Sequence, residues 1–461
     1  MTQLLDPETT FDDRVGTRLG LRRGKNAPAA LLTRAGIAVA ALVAMFAALA
    51  VAAAASNDAL EVIGHEAGPQ VIATTDLYYA LADADAQVAT VLLLGASDPA
   101  GKAEAEQTYA ERRGEIAAAL LEAHRLSGED EAQRGTIESV MEAYGEYEQY
   151  AAEAMLLAEQ LAYPEGAAPP EVIEAYRLAG DLMSGRLLPL AYNLSLENAT
   201  IVRESYDQAG LRIDTGRIVV IAAGLAALAA LLWLQLHIAR SFRRVFNPSL
   251  LVASAVCLLY LFTGATVLSA ESSALHQAKE TGFDQALSLA EAKAVSEALY
   301  TDQIRYLLDT ERAPVYEQTY LDKAQSLYYL ESGNLDEYRT ALTADTAGAF
   351  TSRPGLIGAG LDDGDQSAAL ADAWTDLNAA DAAMREDTGP VSDRLAAVQA
   401  ATEPYREALA DLTGARSAVF EDGIADGERA IADFAFLLPA AMVSLAAFTF
   451  TGIAPRLREF R

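Results

Sequence analysis

The sequence predicts an all-α membrane protein: four transmembrane helices and two extracytoplasmic domains in tandem, each resembling a four-helix bundle. Three observations predict it. There are four nearly uncharged apolar runs, basic residues cluster beside them, and almost all of the 65 acidic residues fall in the two long segments between. The runs lie at about 35 to 56, 218 to 239, 249 to 270 and 434 to 454. A helix rises about 1.5 Å per residue, so roughly twenty apolar residues cross a hydrocarbon core.

Flanking charge orients the runs. Arg14, Arg18, Arg22, Arg23, Lys25 and Arg34 precede the first with no acid among them; Arg240, Arg243 and Arg244 separate the second from the third; Arg456, Arg458 and Arg461 follow the fourth. Positive flanks stay in the cytoplasm. This gives a basic cytoplasmic tail 1–34, a first span 35–56 and a first extracytoplasmic helical domain 57–217. A second span 218–239, a cytoplasmic loop 240–248 and a third span 249–270 follow. The second extracytoplasmic domain is 271–433, the fourth span 434–454 and the cytoplasmic tail 455–461. The chain is expected in the plasma membrane with both termini inside. Basic residues, an apolar stretch and the small residues Ala52 to Ser56 also fit a signal peptide, but the run exceeds the usual signal core and leads directly into a helical pattern, so it is expected to be retained.

The outer segments read as helix throughout, because apolar positions recur every three or four residues. Leu77, Leu81, Ala84, Val88 and Val91 make one stripe, and Ile137, Met141, Tyr144, Tyr147, Ala151, Met155 and Ala158 a second. Leu395, Val398, Thr402, Tyr405, Leu409 and Leu412 step alternately by three and four, the spacing of a packed helical seam. Breakers divide each segment into about four helices: Gly95 to Gly101, Ser127 to Asp130 and Pro164 to Pro170 in the first, Pro314, Ser352 to Asp365 and Thr388 to Pro390 in the second. Four antiparallel helices are the simplest closed packing for that count. The two segments share a plan and nearly a length, which is a repeat of organisation. In the spans, Ala40, Ala44, Ala48 and Ala52, and Ala222, Ala226 and Ala230, mark candidate faces for close helix approach.

The formal charge of −31 is spread along helical faces and argues against nucleic acid or an anionic lipid surface as a partner. Cys257 is the single cysteine, so no disulfide within the chain can hold the outer domains. His65, His124, His237 and His276 are scattered, and none stands in a metal-ligand spacing. Asp362, Asp363 and Asp365 beside Gly364 resemble a calcium loop, but Leu370 and Ala371 stand where a bidentate Glu belongs; an acidic turn before a helix is the plainer reading. Tyr78 with Tyr79, Tyr144 with Tyr147 and Tyr150, and Tyr328 with Tyr329 line either a crevice or ordinary bundle contacts. No phosphate-binding glycine loop, nucleophile elbow or kinase signature appears, and no Asp, Glu, Lys or Arg lies inside the spans to mark an ion path. No catalytic, cofactor or metal residue is therefore assigned, and no enzyme is expected. Pro439 is a tolerated membrane proline or a pivot.

The cytoplasmic stretches are too short for a kinase or cyclase domain. An event registered outside must pass to a separate protein. The tail, with Leu4, Leu5, Asp6, Pro7 and Glu8 ahead of its arginines, is either the handle for that protein or only a topology anchor.

A helical outer domain between two spans is similar in architecture to the sensor modules of bacterial chemoreceptors and histidine kinases. The tandem form with four spans resembles the actinobacterial GlnX family, and the stretch Thr75-Asp76-Leu77-Tyr78-Tyr79-Ala80-Leu81-Ala82-Asp83-Ala84-Asp85-Ala86-Gln87-Val88-Ala89 carries that resemblance. It implies a relay. A lipid-anchored solute-binding protein senses extracytoplasmic aspartate, glutamate or glutamine, the four-span protein passes its state across the bilayer, and the soluble serine/threonine protein kinase G responds inside. A direct sensor holding its ligand within one bundle, and an envelope scaffold without a signal, are the alternatives; homodimerisation is open.

Overall fold

The computed structural model describes residues 27–61, 64, 68–128, 131–242, 247–345, 355–360 and 365–458. Among them every regular element is helical and no strand occurs. In order the helices are α1 (Ala27–Glu61), α2 (Gly68–Leu94), α3 (Pro99–Leu126), α4 (Glu131–Leu161), α5 (Pro170–Leu182), α6 (Leu188–Phe242), α7 (Pro248–Gln277), α8 (Asp284–Leu308), α9 (Ala313–Leu327), α10 (Leu335–Asp345), α11 (Leu356–Gly360), α12 (Asp365–Glu386) and α13 (Val391–Arg458). Wide π-type turns, Met183–Leu187 and Ala278–Phe283, join α5 to α6 and α7 to α8. The N-terminal tail from Leu4 to Lys25, His65, Arg243, Arg244, Asp362, Asp363, Gly364 and Arg461 lie outside the described residues.

The helices start and stop where local chemistry dictates. Asp98 caps α3, its carboxylate accepting from Gly101 N at 3.0 Å, and Pro99 supplies a first-turn residue that needs no donor. Gly95 ends α2 at φ +54, and an added Cβ there would sit 2.5 Å from the Tyr163 carbonyl oxygen. The last carbonyls of α2 find donors far along the chain: Tyr163 OH donates to Leu92 O at 2.7 Å and Gly166 N to Leu93 O at 2.9 Å. The second segment is cut more finely than its prolines predict. Residues 328–334 part α9 from α10 without a proline, held by Gln325, whose amide donates to Leu330 O and Ser332 Oγ, and by Asn334, which caps α10 by accepting from Glu337 N.

The chain folds into two compact units. One comprises Met1–Asp58, Ala209–Ser273 and Glu428–Arg461, and its core is almost wholly aliphatic. Its buried stripe on α1 is Leu31, Ala35, Ala38, Leu42, Met45, Leu49 and Ala52, and on α6 Val220, Gly224, Ala227, Leu231, Leu234 and Ile238. Both step by three and four, as helices crossing at a shallow angle require. Of the alanines expected from spacing alone only Ala52 joins these faces: Ala40, Ala44, Ala222 and Ala226 are exposed, and Ala48 and Ala230 half-buried. Leucine and methionine set the phase of the seam. Gln235 ties α6 to α7 by donating to Leu250 O at 2.9 Å and Ser254 Oγ at 2.8 Å, and Cys257 is buried.

The other unit comprises Ala59–Gln208 and Ala274–Gly427, so the two long acid-rich segments share one body. Leu77, Leu81, Ala84, Val88 and Val91 are fully buried, as is the Leu395 to Leu412 stripe. In the second stripe Met141 is exposed, and Val140, Ala143 and Ala154 join the buried face instead. Helix α2 packs on α8 across the two segments, and Ala298, Ile304 and Leu307 of α8 belong to the same core as Leu77 to Leu94. Trp374, Tyr320 and Tyr405 fill the remaining core of the second segment.

Among the described residues four stretches suit a bilayer by length and composition: Leu31–Asp58 (mean hydropathy 2.6), Thr74–Leu94 (1.3), Pro170–Arg240 (2.4) and Pro248–Leu308 (2.1); Pro439–Ala454 is a shorter apolar helix. Thr74–Leu94 stands apart, because 83% of its apolar window is buried against 22% to 39% for the others. It is a core helix, apolar because protein surrounds it.

Candidate functional site

Helix α8 is buried at every residue from Glu297 to Arg305, yet it carries Glu297, Asp302, Gln303 and Arg305 there. A charge taken from water must be paired and hydrogen-bonded. Arg305 meets both demands: Nη2 donates to Asp85 Oδ2 at 2.5 Å and to Gly180 O at 3.3 Å, Nε donates to Tyr176 OH at 3.0 Å, and Nη1 stands 3.7 Å from Asp302 Oδ1. Gly180 makes room for the guanidinium, since a Cβ there would lie 3.0 Å from Nη2. Asp85 also accepts from Tyr147 OH at 3.2 Å and Tyr176 OH at 3.4 Å. Lys323 of α9 pairs with Asp302 and donates to Ala298 O at 3.2 Å. Burial holds the Asp85 carboxyl above its ordinary range, against the pull of Arg305 and the Tyr147 donor.

About two helical turns toward its N-terminus from Arg305, α8 presents Glu297 to Arg406 of α13 in a forked ion pair, with Nη2 to Oε1 at 2.6 Å and to Oε2 at 2.7 Å. Burial pushes the Glu297 carboxyl up to about 7, with Arg406 opposing and Asp83 reinforcing the rise. Asp83 itself is bound by Arg112 Nε at 2.5 Å. Tyr79 lies between two cations, Lys293 at 4.1 Å and Arg112 at 5.3 Å from its ring centre.

Two cavities open on this buried helix. The first, about 300 Å³, has Ala298, Thr301 and Arg305 of α8 on one wall, Tyr78, Ala82 and Asp85 of α2 beside them, and the π-type turn with Met183 and Ser184 opposite. The second, about 530 Å³, is lined from α8 by Glu297, Tyr300 and Gln303. At about 100° per residue these two sets lie on different faces of the helix, meeting where Glu297 and Thr301 are neighbours. The first cavity offers both charges, hydroxyls and an apolar wall in a volume suited to a small polar molecule; wide turns of the Met183–Leu187 kind recur at functional sites.

The tyrosines divide between the two roles open to them. Tyr78 lines the first cavity and Tyr79 the second, while Tyr147 and Tyr328 are buried in cores and Tyr329 is exposed. His124 is exposed, His237 half-buried, and His276 pairs with Glu280 at 3.1 Å. Among the described residues no three His, Cys, Asp or Glu side chains converge as a metal site requires. Sequence reasoning passed over Asp85 and Arg305. The available signal was an acid inside a stripe otherwise apolar enough to cross a membrane, which demands a buried cation; Arg305, 220 residues away, carries no local mark of being that cation.

Residues 59–207 match the family model described as actinobacterial sensor domain. That stretch holds α2 to α5 and with them Asp83, Asp85, Tyr147 and Tyr176. No curated protein and no solved structure gives a match. The match points to a sensor-type signalling protein, all-helical among the described residues, with helices apolar and long enough to cross a membrane, and similar over residues 59–207 to an actinobacterial sensor domain.

Proposed function

We propose that the chain is a four-span signalling adaptor of the plasma membrane, with both large segments outside and both termini inside. It relays the state of an extracytoplasmic amino-acid-binding lipoprotein to a cytoplasmic serine/threonine kinase of the protein kinase G type. The sensor-domain match over residues 59–207 carries this reading. Two helices support a mechanical route. Helix α6 holds Leu188 and the run 218 to 239 in one hydrogen-bonded element, and α13 does the same for Arg406 and the run 434 to 454. A partner that prefers one of two packings of the outer helices shifts the population between them, and rigid helices carry that shift inward. The lipid bilayer is the medium, and no chemistry on a substrate is required.

A second reading is favoured by the first cavity: the outer unit binds a small molecule itself at Asp85, Thr301 and Arg305. Thermal unfolding of the full chain in lipid nanodiscs separates the two. With glutamate, glutamine or aspartate alone the adaptor predicts no shift, and with the liganded binding protein a stabilised complex. A shift with amino acid alone contradicts the adaptor and supports direct sensing.

A further inference from the structure

The second cavity has a polar atom without a partner. Gln303 is 1% exposed, and its amide nitrogen donates to Asp381 Oδ1 at 3.0 Å. Asp381 is a carboxylate bound by Arg339 and Arg385, so it accepts only, and this fixes which end of the Gln303 amide faces it. The other end, Oε1, is buried with no hydrogen-bond partner among the described residues, and Gln303 lines the cavity. A buried acceptor of this kind calls for a donor.

Charge around the cavity narrows what that donor belongs to. Arg406 is committed to Glu297 by the forked pair, and the Lys293 ammonium lies on the Tyr79 ring and 3.9 Å from Asp76. Glu403 and Glu407 stand one turn apart on α13, both exposed and both on the lining. Among the described residues the only cation paired with either is Arg406, 3.7 Å from Glu403. The opening is thus acidic and the depth holds an acceptor, while Leu299, Leu377 and Leu409 supply an apolar wall.

We propose that this cavity binds a small aliphatic diamine, one ammonium at Glu403 and Glu407, its stem along the leucines and the second nitrogen donating an N–H to Gln303 Oε1. The site is separate from the first cavity and does not depend on the relay. The test is calorimetric titration of the full chain in uncharged-lipid nanodiscs with 1,5-diaminopentane, with n-pentylamine and n-pentanoate alongside. Saturable binding of the diamine, weaker binding of pentylamine and none of pentanoate is expected. The exposed double variant Glu403→Gln with Glu407→Gln should weaken amine affinity by about tenfold, roughly the loss of one charged contact, while leaving the unfolding temperature unchanged. Gln303→Met should weaken the diamine as strongly, and Ser184→Ala in the first cavity should leave it unaffected. Pentanoate binding as tightly as the amines, no saturable amine binding, or amine binding indifferent to both the glutamate pair and Gln303 would each overturn the proposal.

Discussion

At the scale of single residues, Arg305 and Glu297 carry buried charges with opposite consequences. Replacing Arg305 by Met leaves Asp85 buried with only tyrosine donors, a change that costs ~3–5 kcal/mol where a buried pair is broken on one side. Denaturant unfolding should show that loss, and adding Asp85→Asn should recover part of it, because the orphaned charge is then gone; a double variant no better than the single would refute the pairing. Glu297 sets a pH dependence. Its folded value of about 7 lies above the ordinary 4.5, so between those values the folded protein keeps a proton that the unfolded chain releases. The stability it contributes is therefore full below about 4.5, declines as pH rises toward 7 and levels off above, by up to ~3 kcal/mol. Glu297→Gln should flatten that slope in unfolding temperatures measured from pH 5 to 8, although it leaves Arg406 less well paired; a slope unchanged by the substitution would mean that another group titrates. Neither residue was legible as a site. Each looks like a solvated helical charge until the partner helix is known, and helical periodicity says which face is apolar but not which helix covers it.

At the scale of elements, the long stripes were legible because large apolar side chains at steps of three and four fix a face. Leu77 to Val91 and Leu395 to Leu412 are buried as that spacing predicts. The alanine faces of α1 and α6 misled for a physical reason: alanine occupies every side of these helices, so it carries no phase, and the seam follows Leu42, Met45 and Leu49 instead. The π-type turn before α8 was invisible to periodicity because it adds a residue without a breaker. It is also a close crossing, where a Cβ on Gly282 would meet Phe420 Cα and N at 2.8 Å and one on Gly423 would meet the Ala278 side chain at 2.7 Å. Backbone cannot rotate away. Gly282→Ala should destabilise the protein by ~1–3 kcal/mol, as overpacking does, read as a lower unfolding temperature; a neutral substitution would mean that α13 does not lie so close to this turn.

At the scale of the whole molecule, composition gave away the class. Apolar runs, acid-rich segments between them and helical periodicity suffice for an all-α protein of membrane type, whereas the joining of both acid-rich segments into one body rests on the α2 and α8 pairing, which no local pattern announces. The proposed topology makes its own prediction. With Cys257→Ala as background, a cysteine at Ser97 should react with a membrane-impermeant maleimide on intact cells and one at Arg240 only after permeabilisation; the reverse pattern would invert the assignment. The relay is tested most directly by a photo-crosslinker placed in turn from Leu4 to Lys25 in cells carrying the binding protein. The account predicts capture of a serine/threonine kinase in an amount that changes when glutamate, glutamine or aspartate is supplied outside. Capture of no cytoplasmic protein, or of one whose yield ignores the amino acid, would contradict it.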